Sequence, residues 1–328
     1  MKLPIELKML VPGYRARWRR SYACMLAEIA KLAPRLRYGQ DGNVPWIELQ
    51  DGPRFHGFAT EKANREVFRL LRGDLPAAIP ETHFRLVKDC LNRYLYPHMR
   101  PDLKPPGHPV EAMFGFHGQH KDAISDQPEA VRAVLSEAFR PKPGEVFVDC
   151  GSFLGFGELR IAPEIGDGHI YAIEASQACH ALLQRNMTYN KIPNVTALHR
   201  AAWKEATELE LETSIAQGNT LIEEVHKGTA KERVRTVSVD GLVDEFGLTR
   251  LDMLSLTLNG AEVEAIEGAA RALRELRPRI RLAGWYSRGG TKIWQLTKAQ
   301  LEPYGYRVFV GPRGNVMALP QERVAHLP

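Results

Sequence analysis

Between residues 145 and 320 the chain alternates short apolar runs with longer stretches whose apolar residues recur every three or four positions. The runs read as buried strands at 145–150, 169–174, 195–200, 251–258, 279–285, 305–310 and 314–319. The periodic stretches read as helices near 156–163, 176–190, 240–247, 261–275 and 291–302, with one more over 127–139. Such alternation predicts an α/β fold, a mostly parallel sheet with helices on both faces. Gly311-Pro-Arg-Gly314 is too short for a parallel crossover, so the last two strands should form an antiparallel hairpin at the sheet edge. Seven strands with one reversed result. Thr207-Glu-Leu-Glu-Leu-Glu212 and Arg233-Val-Arg-Thr-Val-Ser-Val239 alternate as exposed strands do and predict an inserted ribbon at about 205–238.

The first 110 residues follow a different pattern. Tyr14, Trp18, Tyr22, Met25, Ile29 and Leu32 recur at helical spacing over 13–33, with Arg15, Arg17, Arg19 and Arg20 crowded toward one end. This basic amphipathic helix can pack its aromatic stripe on the catalytic domain, the favoured reading, or lie peripherally on an anionic membrane. Residues 44–58 predict a hairpin turning at Asp51-Gly52, and two further helices are expected near 60–72 and 81–95. Pro101-Asp-Leu-Lys-Pro-Pro-Gly-His-Pro109 sustains neither a helix nor a central strand, because its prolines lack backbone donors. The division expected is therefore a mainly helical N-terminal extension, 1–110, and a catalytic domain, 111–328.

Composition narrows the class. No apolar run reaches the roughly 18 residues needed to span a bilayer, and Met1-Lys-Leu-Pro-Ile-Glu lacks the apolar stretch of a secretory signal. Cys24, Cys90, Cys150 and Cys179 have neither paired nor metal-type spacing, so reduced thiols and a cytoplasmic location are expected, with no metal site. Charge is uneven: residues 1–110 hold 19 Lys/Arg against 11 Asp/Glu, and the remainder 25 against 28. A basic N-terminal part can meet an anionic partner, although scattered surface charge gives the same count. Phosphate loops, His-Glu-x-x-His and nucleophile elbows are absent, which removes kinases, zinc hydrolases and serine hydrolases.

The chemistry concentrates in Glu145-Val-Phe-Val-Asp149-Cys-Gly151-Ser-Phe-Leu-Gly155-Phe-Gly157 and Ile170-Tyr-Ala-Ile-Glu174. This is a strand, a glycine turn, a helix, and a second strand ending in an acid. Gly151 and Gly155 let the backbone approach a ligand, and Glu174 stands about twenty residues on, where an acid can take both hydroxyls of a ribose. A nucleoside-containing cofactor is implied. The Gly-x-x-x-Gly-x-Gly spacing differs from that of dinucleotide folds, and Asp149 precedes the first glycine, where the amino group of S-adenosylmethionine can be held. Methyl transfer is therefore favoured over hydride transfer. Upstream, Phe114-Gly-Phe-His117-Gly-Gln-His120 carries two candidate bases for a hydroxyl acceptor, since an imidazole titrates near neutrality. Surface histidines would look the same. Asn219 and His226 on the ribbon can reach an acceptor, Trp285-Tyr286 at a strand end can line the acceptor pocket but reads more readily as aromatic core, and Asp240 reads as the N-cap of the helix at 241–247.

Taken in order, Phe147-Val-Asp-Cys-Gly151, Ile170-Tyr-Ala-Ile-Glu174, Leu183-Gln-Arg-Asn186 with Asn190, Ala201-Ala-Trp203, Gly218-Asn-Thr-Leu221, Val239-Asp240, and Asn259-Gly-Ala-Glu262 with Glu267-Gly-Ala269 resemble the FkbM family of S-adenosylmethionine-dependent methyltransferases. The resemblance covers roughly residues 127–285. It implies a Rossmann-like class I methyltransferase sheet and a cofactor site made of Asp149, Gly151, Ser152, Gly155, Glu174 and Ala175, with Ala202 and Trp203 near the adenine. The pattern breaks at Leu254-Ser-Leu-Thr-Leu-Asn-Gly260. Many members resemble Lys-Ile-Asp-Val-Glu-Gly there, whereas this chain has Ser255, Thr257 and Asn259, all neutral. Thr257 and Asn259 are kept as catalytic candidates by position, yet a hydroxyl replaces a carboxylate poorly as a base. Either no base is needed there, another residue supplies it, or activity is lost. The acceptor expected is a hydroxyl on a small molecule or glycan; nucleic acid is the weaker alternative, because no base-flipping motif accompanies the basic region.

Overall fold

The computed structural model describes residues 27–61, 79–95, 127–213, 219–222, 230–311 and 314–325, together with residues 13, 16 and 65. It divides into an N-terminal unit and a unit that includes residues 123–328. In the N-terminal unit, β1 (Leu36–Asp41), β2 (Val44–Leu49) and β3 (Arg54–His56) form an antiparallel sheet in that order. The hairpin expected at Asp51-Gly52 joins β2 to β3, with Asp51 at φ 57°. β1 adds a strand to the hairpin expected over 44–58, and the glycine within it, Gly39, does not mark a turn. Gly39 is instead a packing requirement, since a Cβ there would lie 2.0 Å from the Trp46 ring. The segment at 81–95 is a short 3-10 turn, then α1 (Phe84–Asp89), then a π-type turn over Cys90–Leu95. Residues 27–32 are helical. Most of the helices expected at 13–33 and 60–72, and all of the proline-rich 101–109, lie outside the described residues. Among those described, no helix is long and apolar enough to cross a membrane.

The C-terminal unit runs α2 (Glu129–Ala138), β4 (Val146–Cys150), α3 (Phe156–Ile165), β5 (His169–Glu174), α4 (Gln177–Tyr189), β6 (Val195–His199), β7 (Ala201–Ala202), β8 (Glu208–Glu212) and β9 (Lys231–Val237). It continues through α5 (Val239–Glu245), β10 (Met253–Leu256), α6 (Glu262–Glu267), α7 (Ala270–Glu275), β11 (Arg279–Ala283), β12 (Ser287–Arg288), β13 (Thr291–Lys292), α8 (Ile293–Leu301), β14 (Tyr306–Val310) and β15 (Asn315–Pro320). Seven strands form the expected sheet in the order β14-β15-β11-β10-β4-β5-β6. β15 alone is antiparallel to its neighbours, and its hairpin with β14 forms the edge. The expected ribbon is the antiparallel pair β8–β9. Val148, Cys150, Leu254, Leu256, Ile280 and Leu282 alternate onto one sheet face and pack with Leu242, Ala265, Ile266 and Leu273 from α5–α7.

Two expectations change in detail. The single helix read at 261–275 is α6 and α7, separated at Gly268. That glycine lies against the chain after β7, where a Cβ would be 2.4 Å from the Trp203 carbonyl oxygen. Asp240 does not cap the helix it belongs to. Ser238 accepts from the Gly241 amide there, and Asp240 instead accepts from the amides of Arg271 and Ala272, both at 2.8 Å. It thereby caps the start of α7, a partner distant in sequence that no local rule could supply.

Candidate active site

Asp149 lies beside Ala172 in the β4–β5 register, and Glu174 is two residues beyond Ala172. Side chains alternate along a strand, so the two acids emerge on the same face of the sheet near the carboxyl ends of adjacent strands. Both are buried. The turn after β4 is anchored from below, where the amides of Gly151 and Ser152 both donate to the Ile173 carbonyl, at 2.8 and 3.1 Å. Gly151 has φ 91°, and a Cβ on it would come 2.1 Å from the Thr257 carbonyl oxygen. No other residue fits there. Gly155, at φ 76°, opens α3 as its N-cap, and a Cβ would meet Leu183 at 2.4 Å.

Glu174 takes two backbone donors, the Phe153 amide on Oε2 and the Ser176 amide on Oε1, each at 2.9 Å. Phe153 is held in the left-handed region at φ 55°, so the carboxylate fixes the conformation of the turn as well as presenting charge. Ser152 does not cap α3. Its hydroxyl donates to the Asp149 carbonyl at 3.0 Å and lies 3.4 Å from Asp149 Oδ2. Cys150 points into the core, and burial pushes its thiol well up, so it serves packing and not nucleophilic chemistry.

The remaining cofactor candidates sit around this turn. Ala175 is half-buried, and its carbonyl is 3.0 Å from His199 Nε2. Ala202 packs in the main core beside Ile173 and Val237, and Trp203 follows it, its amide donating to the Val237 carbonyl at 2.9 Å. His117, His120 and His226 lie outside the described residues.

The departing segment follows β10. Ser255 is side by side with Asp149 on β4 and with Arg281 on β11, so the row across the sheet reads Asp149, Ser255, Arg281. All three are buried. Arg281 donates to the Thr257 hydroxyl, while the Thr257 amide continues the ladder to the Cys150 carbonyl at 2.8 Å. Asn259 and Gly260 both have positive φ, 52° and 111°. The Asn259 side-chain Nδ2 donates to the Asn219 backbone carbonyl, and the Thr220 hydroxyl donates to the Asn259 backbone carbonyl, each at 2.9 Å. The segment of the insert at Asn219 and Thr220 is thus stitched to the loop, a contact the sequence did not indicate. Beneath, the fully buried Glu262 accepts from the Leu258 amide at 2.8 Å and the Gly260 amide at 2.9 Å. Burial pushes its carboxyl up to about 7 against the lowering effect of those amides and of nearby Arg281. Half-buried Tyr286, beside Trp285 with ring centroids 6.2 Å apart, lies near Glu262 at the end of β11 and not in the core.

Three site residues escape a reading of the sequence: Glu158, Glu262 as a loop staple, and Arg281. Each left a trace. Glu158 is an acid on the otherwise apolar buried face of α3 (Phe156, Leu159, Ile161, Ala162, Ile165). Arg279 and Arg281 alternate in an interior strand. Arg279 is explained by its buried pairing with Glu145 at 2.6 and 2.8 Å, leaving Arg281 as the cation at the other end.

Comparison with known proteins adds the following. Residues 149–308 match the family described as "Methyltransferase FkbM domain". Among solved structures, the chain is similar to methyltransferase FkbM from Methylobacillus flagellatus KT, with 15% identity and a TM-score of 0.41 over 79% of this chain and 71% of that one. It is also similar to a SAM dependent methyltransferase from Aquifex aeolicus (15%, TM-score 0.35, 57% of this chain and 88% of that one). A third is Aeropyrum pernix fibrillarin in complex with natively bound S-adenosyl-L-methionine (12%, TM-score 0.35, 86% and 96%). No curated protein sequence matches the chain.

Proposed function

With residues 149–308 belonging to the FkbM family of methyltransferases, we propose that the crevice above β4 and β5 holds S-adenosylmethionine and serves methylation of a hydroxyl on a sugar, glycan or secondary metabolite. The observation that carries this reading is the pair of buried carboxylates, Asp149 and Glu174, on one face at the tips of adjacent parallel strands, with a turn between them that only glycine can make. Ligands of open α/β sheets bind at such strand ends. The donor set suits an adenosyl amino acid: Asp149 for the ammonium, and the outward lone pairs of Glu174 for the ribose hydroxyls. When bound, that cofactor supplies an electrophilic methyl carbon.

The chain's own residues position the acceptor and exclude water. In the reacting region Thr257 and Asn259 act through shape. The Thr257 hydroxyl is engaged by Arg281 and the Asn259 amide by Asn219, so neither is disposed to take a proton. A hydroxyl acceptor then needs its base from elsewhere, and His117 or His120 is proposed for that role. Placement of an acceptor against a bound electrophile can itself supply much of the acceleration. Calorimetric titration with S-adenosylmethionine, followed by detection of S-adenosylhomocysteine across a panel of hydroxylated sugars and metabolites, tests the reading. Binding with turnover of at least one acceptor is expected. Absence of binding overturns the assignment, and binding without turnover on any acceptor favours a protein that has kept the cofactor pocket and lost the chemistry.

A further inference from the structure

β11 ends at Ala283, and the chain then carries Trp285 and Tyr286 into the short β12–β13 hairpin. Both residues are half-buried, their ring centroids 6.2 Å apart and their planes at 45°. Neither joins the core cluster beneath α5–α7, against which Trp294 packs. The carboxyl ends of the strands form the binding crevice of an open α/β sheet, so the two rings stand where an acceptor has to lie.

Backbone contacts hold them there. The Lys292 ammonium donates to the Trp285 carbonyl and the Ile293 amide to the Tyr286 carbonyl, each at 3.0 Å. Gly284 just before them has no room for a side chain, since a Cβ would lie 2.4 Å from the Gly314 carbonyl oxygen and 2.6 Å from Trp294 Cβ. Arg288 ties the hairpin to the loop after β10: its Nη1 lies 2.7 and 2.8 Å from the two carboxylate oxygens of Glu264 and 3.4 Å from the Gly260 carbonyl. The aromatic pair is therefore fixed beside the segment that bears Thr257 and Asn259.

Shape and charge narrow the occupant. Rings tilted this far do not form the parallel walls that would sandwich a flat aromatic acceptor; they offer one ring face and one phenol edge. A pyranose fits such a corner, with its C–H face on the electron-rich face of a ring and its hydroxyls left for polar partners. Arg288 is paired with Glu264, Arg281 donates to the Thr257 hydroxyl, and exposed Lys292 is occupied by a carbonyl. With these cations engaged, the corner does not select for an anion.

We propose that Trp285 and Tyr286 form the acceptor subsite and that the acceptor is a neutral pyranose stacked on Trp285. This deepens, and rests on, the reading of the protein as a methyltransferase for hydroxyl groups. The two residues hold and select the sugar and take no proton from it.

Saturation-transfer NMR on the full chain, free and with S-adenosylhomocysteine, measures acceptor binding without requiring turnover. The probes are the methyl glycosides of glucose, mannose, galactose and rhamnose, the methyl glycoside of glucuronic acid as an anion, and catechol as a flat ring. At least one neutral glycoside should bind through its ring C–H protons. Trp285→Ala should weaken it about fivefold or more, the scale of an aromatic contact, while Trp285→Phe, which keeps an aromatic face, stays within about twofold. Affinity for S-adenosylmethionine should stay within about twofold in both, whereas a general folding defect would weaken both ligands. Should Trp285→Ala not fold, Trp285→Leu, apolar but without a ring face, should show the same selective loss. The proposal is overturned if no neutral glycoside binds, if the glucuronide or catechol binds tightest, or if glycoside binding ignores the loss of Trp285. If S-adenosylmethionine binds and the glycosides do not, the acceptor inference alone falls. If the glycosides bind and S-adenosylmethionine does not, the transfer reading falls and the corner is no acceptor site.

Discussion

Two loops meet at the top of the sheet, and they are built on opposite terms. The turn after β4 keeps its acids, with Asp149, Glu158 and Glu174 all buried around it. The loop after β10 carries Ser255, Thr257 and Asn259 where the family resemblance leads one to expect charged groups, and it keeps its shape by other means: positive φ at Asn259 and Gly260, the Glu262 staple beneath, and the ribbon's Asn219 and Thr220 above. The two are fused by the approach of Gly151 to Thr257 and by the amide of Thr257 on Cys150. The contrast teaches that a loop can hold its shape through backbone and side-chain hydrogen bonds without charged groups at its tip. On the proposed reading the cofactor side is electrostatic and the acceptor side geometric, so changes on the two sides should separate into binding effects and shape effects.

The most damaging break is Gly151→Ala, which strikes both loops at once. A left-handed conformation costs about 1–2 kcal/mol for an ordinary residue, and the clash with the Thr257 carbonyl adds about 1–3 kcal/mol more. Denaturant titration should find a loss of about 2–5 kcal/mol, with cofactor binding abolished. A fully stable variant would mean that the two backbones do not touch.

Next is Glu262→Ala, which strips the acceptor from two amides at a cost of about 2–4 kcal/mol. The same residue gives a pH signature. Its carboxyl is raised to about 7 in the folded chain, whereas in the unfolded chain it titrates in the ordinary range. The folded state therefore holds the proton more tightly. That contribution is complete below the ordinary range and fades as pH rises through about 7. Glu262→Gln, which cannot titrate, should lose less stability than the wild type between pH 5 and pH 8. Parallel slopes in chemical denaturation would refute the assignment.

On the cofactor side, Glu174→Ala should weaken S-adenosylmethionine binding by about 1–3 kcal/mol, the scale of charge-assisted hydrogen bonds. It should also lower stability, since the amides of Phe153 and Ser176 lose their acceptor. The smallest effect belongs to Thr257→Val. It removes the acceptor for Arg281 and should cost about 1 kcal/mol of stability, while affinity for the cofactor stays within twofold. A large loss of binding there would blur the division between the two loops.

This division also explains what could be read from the chain in advance. Strand positions and the β14–β15 hairpin follow from apolar runs and a four-residue connection, both local signals. Asp149, Gly151 and Glu174 are legible because a strand–turn–helix–strand unit fixes their spacing. Glu158, Arg281 and the staple by Glu262 depend on which strands become neighbours and on three-dimensional burial, which spacing does not encode. Asp240 illustrates the same limit, since it looks like the cap of its own helix and serves one 31 residues away. Gly39 on β1 is a further case, since it is required by the Trp46 ring and not by a turn.

The central claim is that Asp149 and Glu174 together clasp an adenosyl amino acid. The most direct measurement is a crystal structure of the chain with S-adenosylhomocysteine. The account predicts the ribose hydroxyls within hydrogen-bonding distance of Glu174 and the amino group at Asp149; a ligand bound elsewhere, or lying in the crevice with its amino group turned away from Asp149, would contradict it.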